Sequence, residues 1–114
     1  MTVRIYHNPR CSKSRQTLAL LREHGVEPDI VEYLKTPPSA TEIERLLTLL
    51  ELEPRELMRR KEQEYRDLGL AEISDRGRLI QAMTEHPRLM ERPIVVNGER
   101  ATLGRPPEQV LEIL

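Results

Sequence analysis

Val3-Arg4-Ile5-Tyr6 alternates apolar and polar positions, the period of a half-buried strand. After the loop His7-Asn8-Pro9-Arg10-Cys11 the spacing changes. A helical run begins near Ser12 to Ser14, carries Leu18, Leu21 and the neighbouring Ala19 and Leu20 on its apolar side, and stops at Gly25. Asp29 to Leu34 (DIVEYL) reads as a second strand. Strand, helix and strand in so short a stretch form a βαβ unit, with parallel strands and a right-handed crossover.

The next segment, KTPPSATE, is a Pro-rich break. Ser39 and Glu42 have capping-box spacing, and Ile43, Leu46, Leu47 and Leu50 mark one helical face. Pro54 suits the first turn of a further short helix bearing Leu57 and Met58. KEQEYRDLGLAEI is the least regular stretch. Asp75 starts a helix through Leu79, Ile80 and Met83 that Pro87 ends. RPIVVNGERATL predicts a hairpin on Asn97-Gly98 as a type I′ turn, and PPEQVLEIL a short helix with Val110, Leu111 and Leu114 inward. The order is β-α-β, a block of helices, then β-β-α. A four-stranded mixed sheet with helices on both faces satisfies it. This is the order of a thioredoxin-like α/β fold, expected as one domain over 1–114 with a helical insertion at about 40–90.

Composition supports that size and narrows the function. A chain of 114 residues with 38% hydrophobic content suffices for one core and is too short for two. The core must be aliphatic, because there is no Phe or Trp and only three Tyr. Net charge is −1, from 18 basic and 19 acidic residues, so no overall field draws nucleic acid or an anionic membrane. Three tyrosines also offer little for base stacking. MTVRIYHNP lacks the apolar run of a leader, and one cysteine suits a reducing compartment, so the expected location is the cytoplasm.

That cysteine carries the chemistry. Cys11 falls between the first strand and the first helix, where unpaired N–H groups and a partial positive charge favour an anion. A thiolate is such an anion. Lowering a thiol pKa by two units from about 8.5 requires about 2.7 kcal/mol of preference for the charged form. A helix end contributes about 0.3–1 kcal/mol, up to about 2 when partly buried. Neighbouring cations and donors must supply the rest, and His7, Arg10, Lys13, Ser14 and Arg15 are nearby in sequence. Three other readings compete. A packing cysteine would not be ringed by charges. A zinc site lacks further cysteines and histidines at motif spacing. A phosphatase loop needs an arginine where Thr17 stands, and Arg15 comes too early. A redox or oxyanion nucleophile remains. Since Ser14 occupies the second position of a C-x-x-C pair, an outside thiol must resolve Cys11.

HNPRCSKSR, YLKTPP, LGLAE, RPIVV and LGRPPEQVLEIL, in this order and spacing, closely resemble the glutaredoxin-dependent arsenate reductases of bacteria over essentially the whole chain. The resemblance implies Cys11 as nucleophile, with His7 helping to ionise it, Ser14 placing a hydroxyl near the sulfur, and Arg15 completing the motif. It implies Arg59, Arg92 and Arg105 as oxyanion-binding residues, with Arg60 as the neighbour that competes for the first assignment. Pro93 matches a cis proline that faces the site. It further implies arsenate as substrate, glutathione as co-substrate, glutaredoxin as protein partner, and no metal or tightly bound cofactor. Two alternatives keep the fold and change the role. One is a glutathione-dependent thiol oxidoreductase acting on another substrate. The other is a regulator resembling Spx that binds RNA polymerase, although such regulators commonly carry C-x-x-C.

Overall fold

The alternation of Val3-Arg4-Ile5-Tyr6 yields strand β1 (Val3–Tyr6), with Arg4 exposed and the other three buried. A computed structural model describes Thr2–Leu114. Two compact units form, one from the residues up to Thr36 together with Arg92–Leu114, the other from Pro37–Glu91.

In the first unit β1 is followed by helix α1 (Ser12–Glu23) and strand β2 (Asp29–Val31), and later by β3 (Ile94–Asn97) and β4 (Arg100–Leu103). The sheet order is β2-β1-β3-β4. β1 runs parallel to β2 and antiparallel to β3, and β3 runs antiparallel to β4. Ile5 sits opposite Val95, and both are fully buried. With Val3, Leu21, Val110 and Ile113 they make a core on one sheet face, against which Leu18, Leu20, Val26 and Leu111 pack. All ten are aliphatic, as the composition requires, and each fully buried one stabilises the fold by about 1.5–3 kcal/mol.

Several boundaries differ from the sequence expectation, for physical reasons. β2 ends at Val31, and Leu34 lies beyond it and exposed. The buried face of α1 is Ser14, Thr17 and Leu21, whereas Ala19 is exposed. The small polar residues are needed where chains approach closely: a Cβ added to Gly104 would lie 2.5 Å from Thr17 Oγ1 and 2.8 Å from Pro93 Cγ. The hairpin turns on Gly98-Glu99, since Asn97 pairs with Arg100. Only its first central residue has positive φ, 63° at Gly98, which is the type II′ pattern rather than I′. The chain's last segment is a 3₁₀ helix, Pro107–Ile113, with Pro107, Val110 and Ile113 buried. Its three-residue period turns Ile113 inward and leaves Leu114 exposed. The peptide bonds before Pro93 and Pro106 are both cis.

The second unit is helical. α2 (Ala40–Leu50) is capped by Ser39, whose Oγ accepts the Glu42 N–H at 3.1 Å, and it buries Ile43, Leu46 and Leu47. A 3₁₀ turn spans Pro54–Leu57, and α3 (Gln63–Asp67) and a 3₁₀ turn at Leu70–Glu72 fill the irregular stretch. Arg55 holds that stretch in place. Its guanidinium donates to the Tyr65 hydroxyl and to the carbonyls of Leu70 and Ile73. α4 (Arg76–Glu85), capped by Asp75, packs on α2 and buries Leu79, Ile80, Ala82 and Met83. Leu57 O accepts the Glu91 N–H at 2.8 Å and Leu89 O accepts the Arg59 N–H at 2.6 Å, so the segment at Met58-Arg59 runs beside Leu89–Glu91. Among the described residues no helix is long and apolar enough to cross a membrane.

Candidate active site

β1 delivers the loop that carries the cysteine. Asn8-Pro9-Arg10-Cys11 closes as a turn, with the Cys11 N–H on Asn8 O at 3.0 Å and the Arg10 N–H on Asn8 Oδ1 at 3.0 Å. Pro9 presets the first corner of that turn. Cys11 then takes the N-cap position of α1 in an extended conformation, half-buried. Its thiol closes no capping hydrogen bond, yet the sulfur lies in the field of the first backbone N–H groups. Burial opposes ionisation of the thiol. The backbone N–H of Ser14, the guanidinium of Arg92 and the backbone N–H of Lys13 outweigh it and hold the thiol below its ordinary value.

Arg92 is therefore the cation that acts on the sulfur. It stands at the turn into β3 and is half-buried. Burial disfavours its charge, but hydrogen bonding and charge interaction with Cys11, together with the Tyr33 hydroxyl, keep it protonated. Tyr33 is 1% exposed and was not among the residues the sequence reading assigned to the site. Its signal in the sequence is its place as the opening residue of YLKTPP. Arg105 joins from the loop after β4: its Nε donates to Arg92 O at 2.9 Å, while the side chain stays exposed. Gly104 N–H donates to Pro93 O at 2.9 Å, so the two Arg-Pro segments are tied together directly below these side chains.

His7 and Ser14 are buried beside the loop. His7 Nδ1 lies 2.6 Å from Ser14 Oγ, and Ser14 Oγ also accepts the Asn8 N–H at 3.0 Å. The Ser14 hydroxyl is thus engaged by His7 and Asn8, and Ser14 acts on the sulfur through its backbone. Burial lowers the pKa of His7; Glu32 opposes this, and Arg22 and Arg15 add to it. His7 is accordingly neutral near neutral pH, and its ring is engaged by the Ser14 hydroxyl. Arg15 donates to Pro9 O at 3.0 Å and is exposed, so it braces the loop. Lys13 contributes a backbone N–H, and its ammonium is not among the groups acting on the thiol.

Arg59 belongs to the second unit. It is partly buried and its Nε meets Glu62 Oε1 at 3.2 Å, whereas Arg60 is exposed. Among the described residues, Arg59 Nη1 and Arg92 Nε are buried donors without a hydrogen-bond partner. An unsatisfied buried donor costs about 1–3 kcal/mol, so each guanidinium carries a cost of its own. No group of three or more His, Cys, Asp or Glu among the described residues could hold a metal ion.

A mixed sheet of this order, with a thiol at the start of the helix after β1, defines the thioredoxin-like class. The chain belongs to the ArsC family, whose model matches residues 6–113. It is 59% identical over 114 residues to the Escherichia coli K12 protein named "Uncharacterized protein YfgD", covering 98% of this chain and 96% of that one. It is 47% identical to an arsenate reductase of Haemophilus influenzae, with both chains covered completely. The solved structure of an arsenate reductase from Vibrio cholerae superposes with a TM-score of 0.95 at 56% identity, covering 100% of this chain and 98% of that one.

Two measurements test this arrangement. Arg92→Ala raises the pH midpoint of Cys11 alkylation by about one unit, and Tyr33→Phe moves it the same way by less. An unchanged midpoint in Arg92→Ala contradicts the assignment. The second concerns stability. Below about pH 6.5 an unfolded histidine binds a proton that buried His7 still refuses, so protons favour the unfolded chain. Stability therefore falls as pH drops from that value toward the folded pKa of His7. Denaturant titrations of His7→Gln should show a shallower fall over that window.

Proposed function

We propose that this ArsC-family protein reduces arsenate to arsenite with electrons from glutathione and glutaredoxin. The single observation that carries the reading is Cys11 at the N-cap of α1, its thiol held low by the Ser14 backbone N–H and by Arg92, whose buried Nε is without a hydrogen-bond partner. A group that ionises the nucleophile and keeps a donor for the incoming oxyanion suits one reaction especially well. The similarity to the arsenate reductases of Haemophilus influenzae and Vibrio cholerae supports the same substrate.

The proposed steps use these residues as follows. Arsenate is a tetrahedral anion, and guanidinium groups bind its oxygens by charge-assisted hydrogen bonds. Arg92, Arg105 and Arg59 neutralise the oxygens while the Cys11 thiolate attacks arsenic and a hydroxide departs as water, leaving a sulfur–arsenic(V) bond. Arg92 shifts from balancing the sulfur to balancing the oxygens as negative charge moves to them. Glutathione then attacks arsenic and displaces a second water, giving a sulfur–arsenic–sulfur adduct between Cys11 and glutathione. A glutaredoxin thiolate attacks the glutathione sulfur, forming a mixed disulfide while the arsenic–sulfur electron pair stays on arsenic as arsenic(III). Water then replaces the Cys11 sulfur on arsenic, releasing arsenite and restoring the thiolate.

The test is arsenite formation by the purified protein with arsenate, glutathione and glutaredoxin. Cys11→Ser should abolish it, and Arg92→Ala with Arg105→Ala should reduce kcat/KM by about 100-fold or more. Glutathione-dependent disulfide exchange that survives the arginine changes, with no arsenite formed by the unaltered protein, would assign the thiol to another oxidant.

A further inference from the structure

The parallel strands β1 and β2 end side by side, and a polar loop follows each. The His7 N–H donates to Val31 O at 2.8 Å, which carries the pairing one residue past Tyr6. Beyond that bond the two loops part and leave a cleft. One wall is the loop His7–Arg10, and the other is formed by Glu32, Leu34 and Lys35. Both walls belong to the first unit. The cleft measures about 230 Å³. Sites for drug-sized ligands run to roughly 300–1,000 Å³, so this one takes one end of a small molecule.

The second wall is a turn. Glu32 O accepts the Lys35 N–H at 2.9 Å, and the side chains meet with Lys35 Nζ 3.6 Å from Glu32 Oε1. These side chains are 79% and 41% exposed, so water screens the pair and a ligand opens it at little cost. Exposed Arg10 adds a second cation from the opposite wall. The polar lining includes His7 and Asn8, both buried, and exposed Leu34 supplies apolar surface. A carboxylate, two cations and an apolar edge in so small a space complement an α-amino acid head group on a short methylene chain.

The cleft adjoins the nucleophile by two routes. Its first wall leads directly into Cys11, whose N–H donates to Asn8 O. Its second wall buries Tyr33, whose hydroxyl acts on Arg92.

We propose that this cleft binds the γ-glutamyl end of glutathione, with Glu32 on the ammonium and Lys35 and Arg10 on the α-carboxylate. The cysteinyl part then lies toward Cys11, and the glycine stays outside the cleft. The inference rests on the reading of glutathione as electron donor.

The experiment titrates the isotope-labelled protein with S-methylated ligands, which bind without reacting, and follows its amide NMR shifts. γ-Glutamyl-S-methylcysteine should bind within about 2-fold of S-methylglutathione, with shifts centred on Asn8, Arg10, Glu32 and Lys35. S-methylcysteinylglycine, which lacks the head group, should bind about 10-fold more weakly, the scale of two exposed charge contacts. Glu32→Gln and Lys35→Ala should each weaken both γ-glutamyl ligands about 3-fold and leave S-methylcysteinylglycine unchanged. Equal losses for all three ligands overturn the proposal in favour of a general structural effect. Shifts centred elsewhere, or S-methylcysteinylglycine binding as well as S-methylglutathione, also overturn it. Free glutamate binding as tightly as S-methylglutathione overturns it in favour of an amino acid site. No arsenate is present in these titrations, so a failed arsenite assay leaves their outcome standing and the two readings fail separately.

Discussion

The pull of the Arg92 guanidinium on the Cys11 thiol is the interaction on which the rest depends. Burial alone would keep the thiol protonated, and the start of α1 contributes too little by itself to reverse that. Arg92 supplies a full charge at the sulfur, and the backbone N–H groups of Ser14 and Lys13 supply oriented donors. The same burial that threatens the thiolate strengthens each of these contacts, since fewer waters screen them. Arg92 is penalised by burial in turn, and the sulfur and the Tyr33 hydroxyl repay it. Each partner is thus kept charged by the other.

The fold exists in this region to hold that pair in register. The pairing of Ile5 with Val95 fixes β1 beside β3, which sets the loop carrying Cys11 next to the segment carrying Arg92. Gly104 admits Thr17 of α1 and Pro93 to distances that any side chain there would forbid. That close approach also brings Arg105 onto the carbonyl of Arg92. An aliphatic core with no large aromatic residue beyond tyrosine suits this construction, because the segments meet through small groups and backbone bonds.

Much of this was legible in the sequence, for reasons that differ by residue. The period-2 alternation of Val3 to Tyr6 and the Ser39–Glu42 spacing are local signals, and both elements form where those signals place them. Cys11 at a strand-to-helix junction was readable for the same reason. What escaped was set by three-dimensional contact. Ser14 and Thr17 look like surface residues by hydropathy, yet they face the interior because α1 must fit against a turn. The inward choice of Ile113 over Leu114 follows from a 3₁₀ period that apolar composition does not encode. Tyr33 carried no visible role, since it acts on Arg92, which is distant from it in sequence. His7 and Arg15 were assigned by motif, and the structure adds the partners that the motif does not name: the Ser14 hydroxyl for His7 and the Pro9 carbonyl for Arg15.

The most direct test is the ultraviolet absorbance of the Cys11 thiolate, titrated in the folded protein and again in denaturant. Because this is the chain's one sulfhydryl, the change in absorbance between the two states isolates it once the tyrosines are subtracted. The account predicts that the folded titration lies at lower pH than the unfolded one. Coincident curves, or a folded curve displaced toward alkaline pH, would show burial prevailing over Arg92 and contradict it.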